Sequence, residues 1–528
     1  MSGQSIEPAV SLSMNLEPEL LRGVSLRISL SGWGRFWHSS SDMKGYSLSR
    51  PVKSLDIFFS HDWGTPGWRK LAAMLVVFNS QAAAIASLLV SLLAGFVHVF
   101  HDLSPSLWPP IAGHVTFVVF LCFWQRIRSF FLRDKMVFLD KLCISQESDE
   151  LKEKGILGLA AFIRRSDRFV LLWSPNVFCR LWCVYEIGSF VRITDEQGGG
   201  KQLEVMPVNL GPLLLLVSAA FRLGLMATWS TLMSRQLTDG MIPVWVLVFA
   251  PTAIALCSVP FINYVGMGIM RDVSLLPGQL QHFDASKAEC LCCSCSHKHP
   301  DSGEDMMCDR ALIYQQLAQW FPGAAPEDEA DVLDGFNQRV RRTLLPRIKK
   351  LVDGGIPLKY VFSMGVASNF PLLPNYMARI SRGPPTTAPH SEIDHFAWAC
   401  RALLAWAHVL LVVPASIFLF VRAWRLARYR QSVLSSIVLT PVLSLPTVAA
   451  WAIMMLSQHF TDNDSFFPLL PFLVLLAMNI FIVFTGGWTP RTWATSRWRQ
   501  EGTVQTGPTP QDATDLSNQE DDCSTFSI

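Results

Sequence analysis

Between Leu71 and Gln125 the chain carries a single formally charged residue, Asp102. About 20 consecutive apolar residues suffice to cross roughly 30 Å of hydrocarbon, so a stretch this long has room for two crossings. His101-Asp102-Leu103-Ser104-Pro105 supplies the turn residues that a reversal needs. The stretch is read as a membrane hairpin, with arms from about Leu71 to Phe100 and from about Ser106 to Gln125. That one feature goes far toward explaining the composition. Charged residues are 16% of the 528 positions, where roughly 25% is usual for soluble proteins, and hydrophobic residues are 50%. Such a chain is neither disordered nor a single soluble domain. Its Lys+Arg total of 44 against an Asp+Glu total of 42 leaves +2, so it is not a nucleic-acid binder acting through bulk charge. The 12 cysteines are too sparse for a disulfide scaffold, and the opening residues lack the pattern of a cleaved signal peptide.

Further uncharged runs fall at Pro243 to Met270, Ala402 to Val421, Val433 to Ser457 and Phe466 to Gly487. A weaker one, Gly211 to Met233, carries Arg222 near its centre, at a cost of about 2.5–3.5 kcal/mol on insertion scales. It is expected either to lie in the interface or to pack against its neighbours. Short basic flanks give the orientation. Arg69 and Lys70 before the hairpin, and Arg126, Arg128, Arg133 and Lys135 after it, place both ends in the cytosol. The loop with Arg422, Arg425, Arg428 and Arg430 and the tail with Arg491, Arg497 and Arg499 are also cytosolic; the loop with Asp462 and Asp464 is outside. These assignments need an even number of crossings. Six, with Gly211 to Met233 not spanning, satisfy every short loop but put residues 271–400 outside. Seven keep 271–400 in the cytosol and break the rule at the Arg loop.

From Lys135 to Glu204 charge returns, and short β-type runs alternate with helical periodicity, an α/β pattern. Met136 to Asp140 is a buried strand ending in a carboxylate, Ser145 to Lys154 a polar loop, and Ile156 to Ile163 a helix. Arg168 to Trp173 is a second strand, Ser174-Pro175-Asn176 a turn, Trp182 to Val191 a helix, and Val205 to Val208 a third strand. Another strand lies before the hairpin, Ser54 to Trp63. The set implies a parallel sheet with its ligand at the carboxyl ends of the strands.

These residues resemble the Toll/interleukin-1 receptor (TIR) domain. Asp56-Ile57-Phe58-Phe59-Ser60-His61 is similar to its opening strand and Phe138-Leu139-Asp140 to its second. Ser174-Pro175-Asn176 followed by Leu181-Trp182-Cys183-Val184-Tyr185-Glu186-Ile187 resembles its Trp-Cys-x-x-Glu segment, and Val205 to Val208 its last strand. Phe138 to Gln146 is also similar to a signature of heterokaryon-incompatibility (HET) domains. The resemblance covers residues 54–70 and 134–210, under a fifth of the chain, and departs from the family where the membrane hairpin replaces the first helix. A hairpin returns to its starting face, so the two parts of the sheet can still meet. The layout is similar to that of multi-pass proteins of unicellular algae. The expected architecture is an α/β TIR-like domain, a flavodoxin-like parallel sheet with flanking helices, plus a multi-pass α-helical membrane domain.

The resemblance implies signalling and, in catalytic members, cleavage of the nicotinamide–ribose bond of NAD⁺, with Glu186 as the matching carboxylate. Ser60, His61 and Trp63 after the first strand, together with Trp182 and Cys183, would border the nucleotide, Cys183 packing beneath Glu186. The other reading of Glu186 is a carboxylate compensating the helix dipole, in a domain that only assembles with other TIR domains. His61-Asp62 beside Ser60 is no hydrolytic triad, because adjacent strand residues point to opposite faces. A transporter or channel with a regulatory TIR-like domain is a third possibility.

A second constellation comprises Cys290, Cys292, Cys293, Cys295, His297, His299 and Cys308. This set could hold Zn²⁺, although its spacing matches no standard C-x₂-C pair. S-acylation competes if the region is cytosolic, and disulfides if it is outside. Beyond it, Arg339, Arg341, Arg342, Arg347, Lys349 and Lys350 form a basic face suited to anionic lipid or simply to solvent. The expected division is a disordered tail at 1–53, the discontinuous TIR-like domain, the hairpin at 71–125, membrane segments at 211–270, the Cys/His-containing region at 271–400, three transmembrane helices at 401–487 and a disordered tail at 488–528.

Overall fold

The computed structural model describes residues 16–485 apart from breaks at 39–42, 102–105, 146–148, 197–200, 238–243, 299–302, 304–307, 321–328, 355, 384–394 and 446–469. Both expected tails lie in part or wholly outside the described residues, as do the hairpin turn, the Asp462/Asp464 loop and His299.

Among the described residues six strands form one sheet: β1 (Arg22–Ser25), β2 (Arg50–Pro51), β3 (Leu55–His61), β4 (Met136–Phe138), β5 (Ser166–Trp173) and β6 (Gln202–Pro207), in the order β2-β1-β4-β3-β5-β6. β3 is parallel to both β4 and β5, and β5 to β6, so the two halves of the domain on either side of the hairpin share one sheet. The alternation of β3 gives each face its own partners. Phe58 stacks between Phe138 of β4, at 4.5 Å between centroids, and Phe169 of β5, at 5.5 Å. Phe162 and Phe190 close over this ladder from the helices Leu159–Arg164 and Leu181–Glu196. On the other face Phe59 meets Trp37 and Phe78 edge-on.

Phe78 belongs to the hairpin's first arm, the helix Gly67–Phe100. Its 34 residues span about 51 Å, some 20 Å more than the hydrocarbon of a bilayer. The surplus covers the sheet, where Ala73, Met74 and Val76 are fully buried. The first arm thus performs on this sheet the packing expected of a first α/β helix.

The sheet is mixed rather than wholly parallel, because residues 22–51 are not a tail. β1 runs antiparallel to both β4 and β2, and Trp37 is fully buried with its Nε1 donating to Ser29 O at 2.8 Å. The predicted helix Ile156 to Ile163 is broken at Gly158 into Asp149–Leu157 and Leu159–Arg164, so part of the expected polar loop is helical.

Among the described residues, five helices are long and apolar enough to cross a membrane: Gly67–Phe100, Trp108–Arg128, Leu210–Ser230, Thr252–Gln281 and Trp398–Arg430. Val433–Leu445 and Leu473–Ile482 are shorter apolar helices. Leu210–Ser230 is the segment expected to be non-spanning, yet it meets the same length and hydropathy criteria and packs into the bundle. Gly211 lies so close to the Ala73 backbone that any side chain would collide with it. Arg222 is buried, with its guanidinium 3.5 Å from the Phe117 ring centroid and Nη1 3.0 Å from His114 Nδ1.

Residues 283–359 pack directly on the α/β domain. Trp320 stacks on Tyr185 at 5.7 Å, Arg339 pairs with Asp195 at 2.6 Å, and Lys359 pairs with Glu204 of β6 at 2.8 Å. These contacts join the two regions directly.

Candidate functional site

β3 ends at the carboxyl edge of the sheet, where the Ser60 hydroxyl donates to Glu186 Oε2 at 2.5 Å. Glu186 projects from the second turn of the helix Leu181–Glu196, which crosses this face behind Phe169. Both side chains are buried. Burial pushes the Glu186 carboxyl well above the usual carboxylate range; the Ser60 hydrogen bond opposes this and the nearby Asp140 charge adds to it. Cys183 lies one turn earlier, donates to His61 O at 3.4 Å, and is kept a thiol by burial and then by Glu186.

His61 points to the opposite face, as strand alternation demands. It lies tilted against Trp37 and edge-on to Trp63, with Lys70 Nζ 3.4 Å from its Nδ1 and Asp140 3.8 Å from its Nε2. Burial, and then the Lys70 charge, hold it well below its ordinary pKa, so the Asp140 contact joins a carboxyl to a neutral imidazole. Trp63 donates from Nε1 to Asp140 at 2.9 Å. Trp182 turns away: its Nε1 donates to Asp309 at 3.1 Å beneath the 309–320 helix. Thus Ser60, Cys183 and Glu186 converge, His61 and Trp63 form a separate cluster with Lys70 and Asp140, and Trp182 joins neither.

A cleft of about 310 Å³ opens at the carboxyl ends of β3, β5 and β6, near the lower end of the size range of small-molecule pockets, about 300–1,000 Å³. Asp62, Thr65, Ser174, Asn176 and Asn209 bring polar groups to it, and Trp173 an aromatic wall. Glu186 is not among its lining residues. Asp62 shares the β3 face of Ser60 two positions on, and its carboxylate accepts from Gly64 N at 2.9 Å, Thr65 at 3.2 Å, Ser174 at 3.4 Å and Arg180 at 3.3 Å. In the sequence Asp62 enters only as a member of the excluded hydrolytic triad, and Arg180 not at all. Asp62 was signalled by its parity with Ser60, whereas Arg180 carried no pattern of its own. A larger groove of about 530 Å³ lies at the far end of the 181–196 helix; Arg339 and Arg192 there are already paired with Asp195 and Glu196.

The Cys/His constellation resolves into two groups sharing Cys292. Cys292, Cys293, His297 and Cys308 bring four ligand atoms within 4.8 Å of one another and could hold a metal ion; Cys290, Cys292 and Asp309 form a second, smaller set. Cys295 belongs to neither set. Against the effect of burial, hydrogen bonds from Ala311 N–H, His297 and Cys293 draw the Cys308 thiol down to about 7.

Compared with protein families, curated proteins and solved structures, the chain matches none.

Proposed function

We propose that the chain is a multi-pass membrane protein presenting a TIR-like domain to the cytosol for signalling, and that the domain cleaves the nicotinamide–ribose bond of NAD⁺ with Glu186 as the essential carboxylate. The observation that carries this reading is the Ser60–Glu186 hydrogen bond at the carboxyl edge of the parallel strands, one strand turn from the Asp62 cleft. Nicotinamide departs from a ring that is already positive, so no strong general acid is required. What the reaction needs is a carboxylate against the oxocarbenium-like ribose. In the closed arrangement burial favours neutral Glu186 and Ser60 favours its ionised form. Turnover therefore requires opening from the Asp62 side with ionisation of Glu186.

The test is nicotinamide release by the full chain in detergent or liposomes. Glu186→Gln is expected to lower turnover by about 10²–10³, the scale of losing one transition-state electrostatic partner. Equal turnover in the two proteins sinks the catalytic reading. A second reading, a non-catalytic adaptor acting by TIR–TIR assembly, is favoured by the burial of Glu186 and its exclusion from the cleft. It predicts self-association unchanged by Glu186→Gln and no NAD⁺ binding.

The membrane reading extends to eight crossings. Besides the five long helices and the two shorter ones, the segment from Lys359 to Arg382 runs beside the hairpin as a chain of short helical pieces. Ser363 bonds Ser80 at 2.9 Å, Pro371 packs where a Cβ on Gly113 would come within 2.9 Å of it, and Met377 lies against Gly95. From Ser80 to Gly95 the first arm rises about 22 Å, most of the hydrocarbon thickness. Tyr360 to Ala378 contains no charged residue. With this broken crossing counted, residues 283–359 remain beside the TIR-like domain, the Arg422–Arg430 loop is cytosolic and the Asp462/Asp464 loop outside, in keeping with the positive-inside pattern, which only the outer flank with Arg379, Arg382 and Arg401 then opposes. On the cytosolic side cysteines stay reduced, and the Cys/His set is suited to zinc rather than to disulfides.

A further inference from the structure

Two distances within the Cys/His group of residues 292–308 match the edges of a tetrahedron around a metal ion. Zinc bound by thiolates at about 2.3 Å and by imidazole at about 2.0–2.1 Å in a tetrahedron requires S···S edges of about 3.8 Å and S···N edges of about 3.6 Å. Cys293 Sγ lies 3.8 Å from Cys308 Sγ and 3.6 Å from His297 Nε2. Cys292 Sγ is the fourth ligand atom within the common 4.8 Å limit. Cys290 Sγ, 2.9 Å from Cys292 Sγ, is too close to share a tetrahedral edge with it. The backbone is shaped for the same end. His297 N donates to Cys292 O at 2.7 Å, and Ser296 and His297 both adopt left-handed conformations, φ 53° and 58°, which turn the imidazole back over the short helix Leu291–Ser294.

We propose that Cys292, Cys293, His297 and Cys308 form a tetrahedral structural zinc site, and that the ion staples this knuckle onto the amino end of the helix that carries Glu186. The connection is direct. On the near side of the knuckle, Glu289 O accepts from Leu181 N at 3.0 Å, satisfying one of the unpaired N–H groups at the start of that helix, and Glu289 N donates to Cys179 O at 2.6 Å. On the far side, Asp309, the residue after Cys308, accepts from Trp182 at 3.1 Å. Arg180 bridges Glu289 and the cleft residue Asp62, each at 3.3 Å. The ion would thus close a loop whose two ends both clamp residues 179–182, and it would hold Arg180 against the cleft without touching substrate. All four protein positions are filled, so this zinc is structural, with no open site for a water.

The proposal deepens the membrane-signalling reading but is tested independently of NAD⁺ turnover. Metal analysis of the full chain, purified in detergent without chelator, is expected to give one zinc per chain. Cys308→Ser and His297→Ala should lose it, and Cys295→Ser should keep it. Replacement by Co²⁺ should give the intense visible absorption of a tetrahedral thiolate site, and Cys308→His, which preserves a ligand, should retain Co²⁺ with weaker sulfur charge transfer. Hydrogen exchange at Leu181 to Tyr185 should quicken when zinc is removed. Absence of stoichiometric zinc, its loss in Cys295→Ser, a six-coordinate cobalt spectrum, or unchanged exchange at Leu181 to Tyr185 on zinc removal would each overturn the proposal. None of these outcomes depends on whether Glu186 is catalytic.

Discussion

The Ser60 hydroxyl and Glu186 Oε2 are 2.5 Å apart, although 126 positions and the whole membrane hairpin separate them in the chain. The hairpin can be inserted there because it leaves and returns on the same face, so β3, which holds Ser60, pairs with β5, which precedes the Glu186 helix, as if it were absent. Glu186 is held neutral chiefly by burial, and this has a consequence for stability. Its folded pKa is raised, so above the ordinary value of 4.5 the unfolded chain gives up a proton that the native state retains. Stability then falls as pH rises from about 4.5 toward the folded pKa, because the native state binds more protons. Glu186→Gln is expected to unfold at the same temperature as the parent below that window and at a higher one above it. Melting curves across pH provide the check, and a gap independent of pH would contradict the assignment. Ser60→Ala, which removes the bond favouring ionisation, should move any rising limb of activity to higher pH.

Trp37 tests whether the amino-terminal segment belongs to the domain. It is fully buried between Phe59 and His61, with its indole N–H satisfied by Ser29 O. Trp37→Ala should cost about 3–5 kcal/mol, as emptying a large aromatic site does, whereas Trp33→Ala, at a position 71% exposed, should cost little. Chemical denaturation of the pair measures the difference.

Much of this architecture was legible because its signals are local. The uncharged hairpin, the apolar run of β3 and the Trp182–Glu186 segment each carry their pattern within about a dozen residues. β1 does not: Arg22-Gly23-Val24-Ser25 is four residues long, without alternation, and becomes a strand only because β4 and β2 offer edges to it. The chain of short helical pieces from Lys359 to Arg382 lacks a sequence signal for a similar reason. Ser363, Ser368, Asn369 and Asn375 are buried there, and Pro371 and Pro374 interrupt the helix, so no apolar run of the usual length announces it. In the site itself, the resemblance set both Ser60 and Glu186 at the nucleotide without a contact between them, and the outward turn of Trp182 depended on Asp309, more than a hundred residues away.

Arg180 links the cleft to the Cys/His region, and its removal should be felt at both. Asp62 is 3% exposed and Arg180 is its only cationic partner within salt-bridge distance among the described residues. Arg180 itself is 36% exposed, so the pair contributes about 1 kcal/mol at most after solvent screening. Arg180→Ala is therefore expected to leave the fold intact, with a melting shift of a few degrees, while weakening nucleotide binding at the Asp62 cleft. Arg180→Lys should restore most of the stability. Titration calorimetry with NAD⁺ separates this from the adaptor reading, in which neither variant binds.

The crossing number is decided by two positions. Lys287, 81% exposed at its side chain, lies in the region that packs on the α/β domain, and Gly383 follows the last turn of the helix Leu373–Arg382. An N-glycosylation acceptor in a flexible spacer after each residue reports which side it occupies. Six crossings place both outside and predict glycans at both; seven keep residues 271–400 in the cytosol and predict none. Eight predict a glycan after Gly383 and none after Lys287. The reason lies in the contacts: Lys359 is tied to β6 through Glu204, while fourteen residues beyond Ser363 the chain has climbed from Ser80 to Gly95 of the first arm. Glycans at both positions, or at neither, would show that residues 359–382 double back instead of crossing.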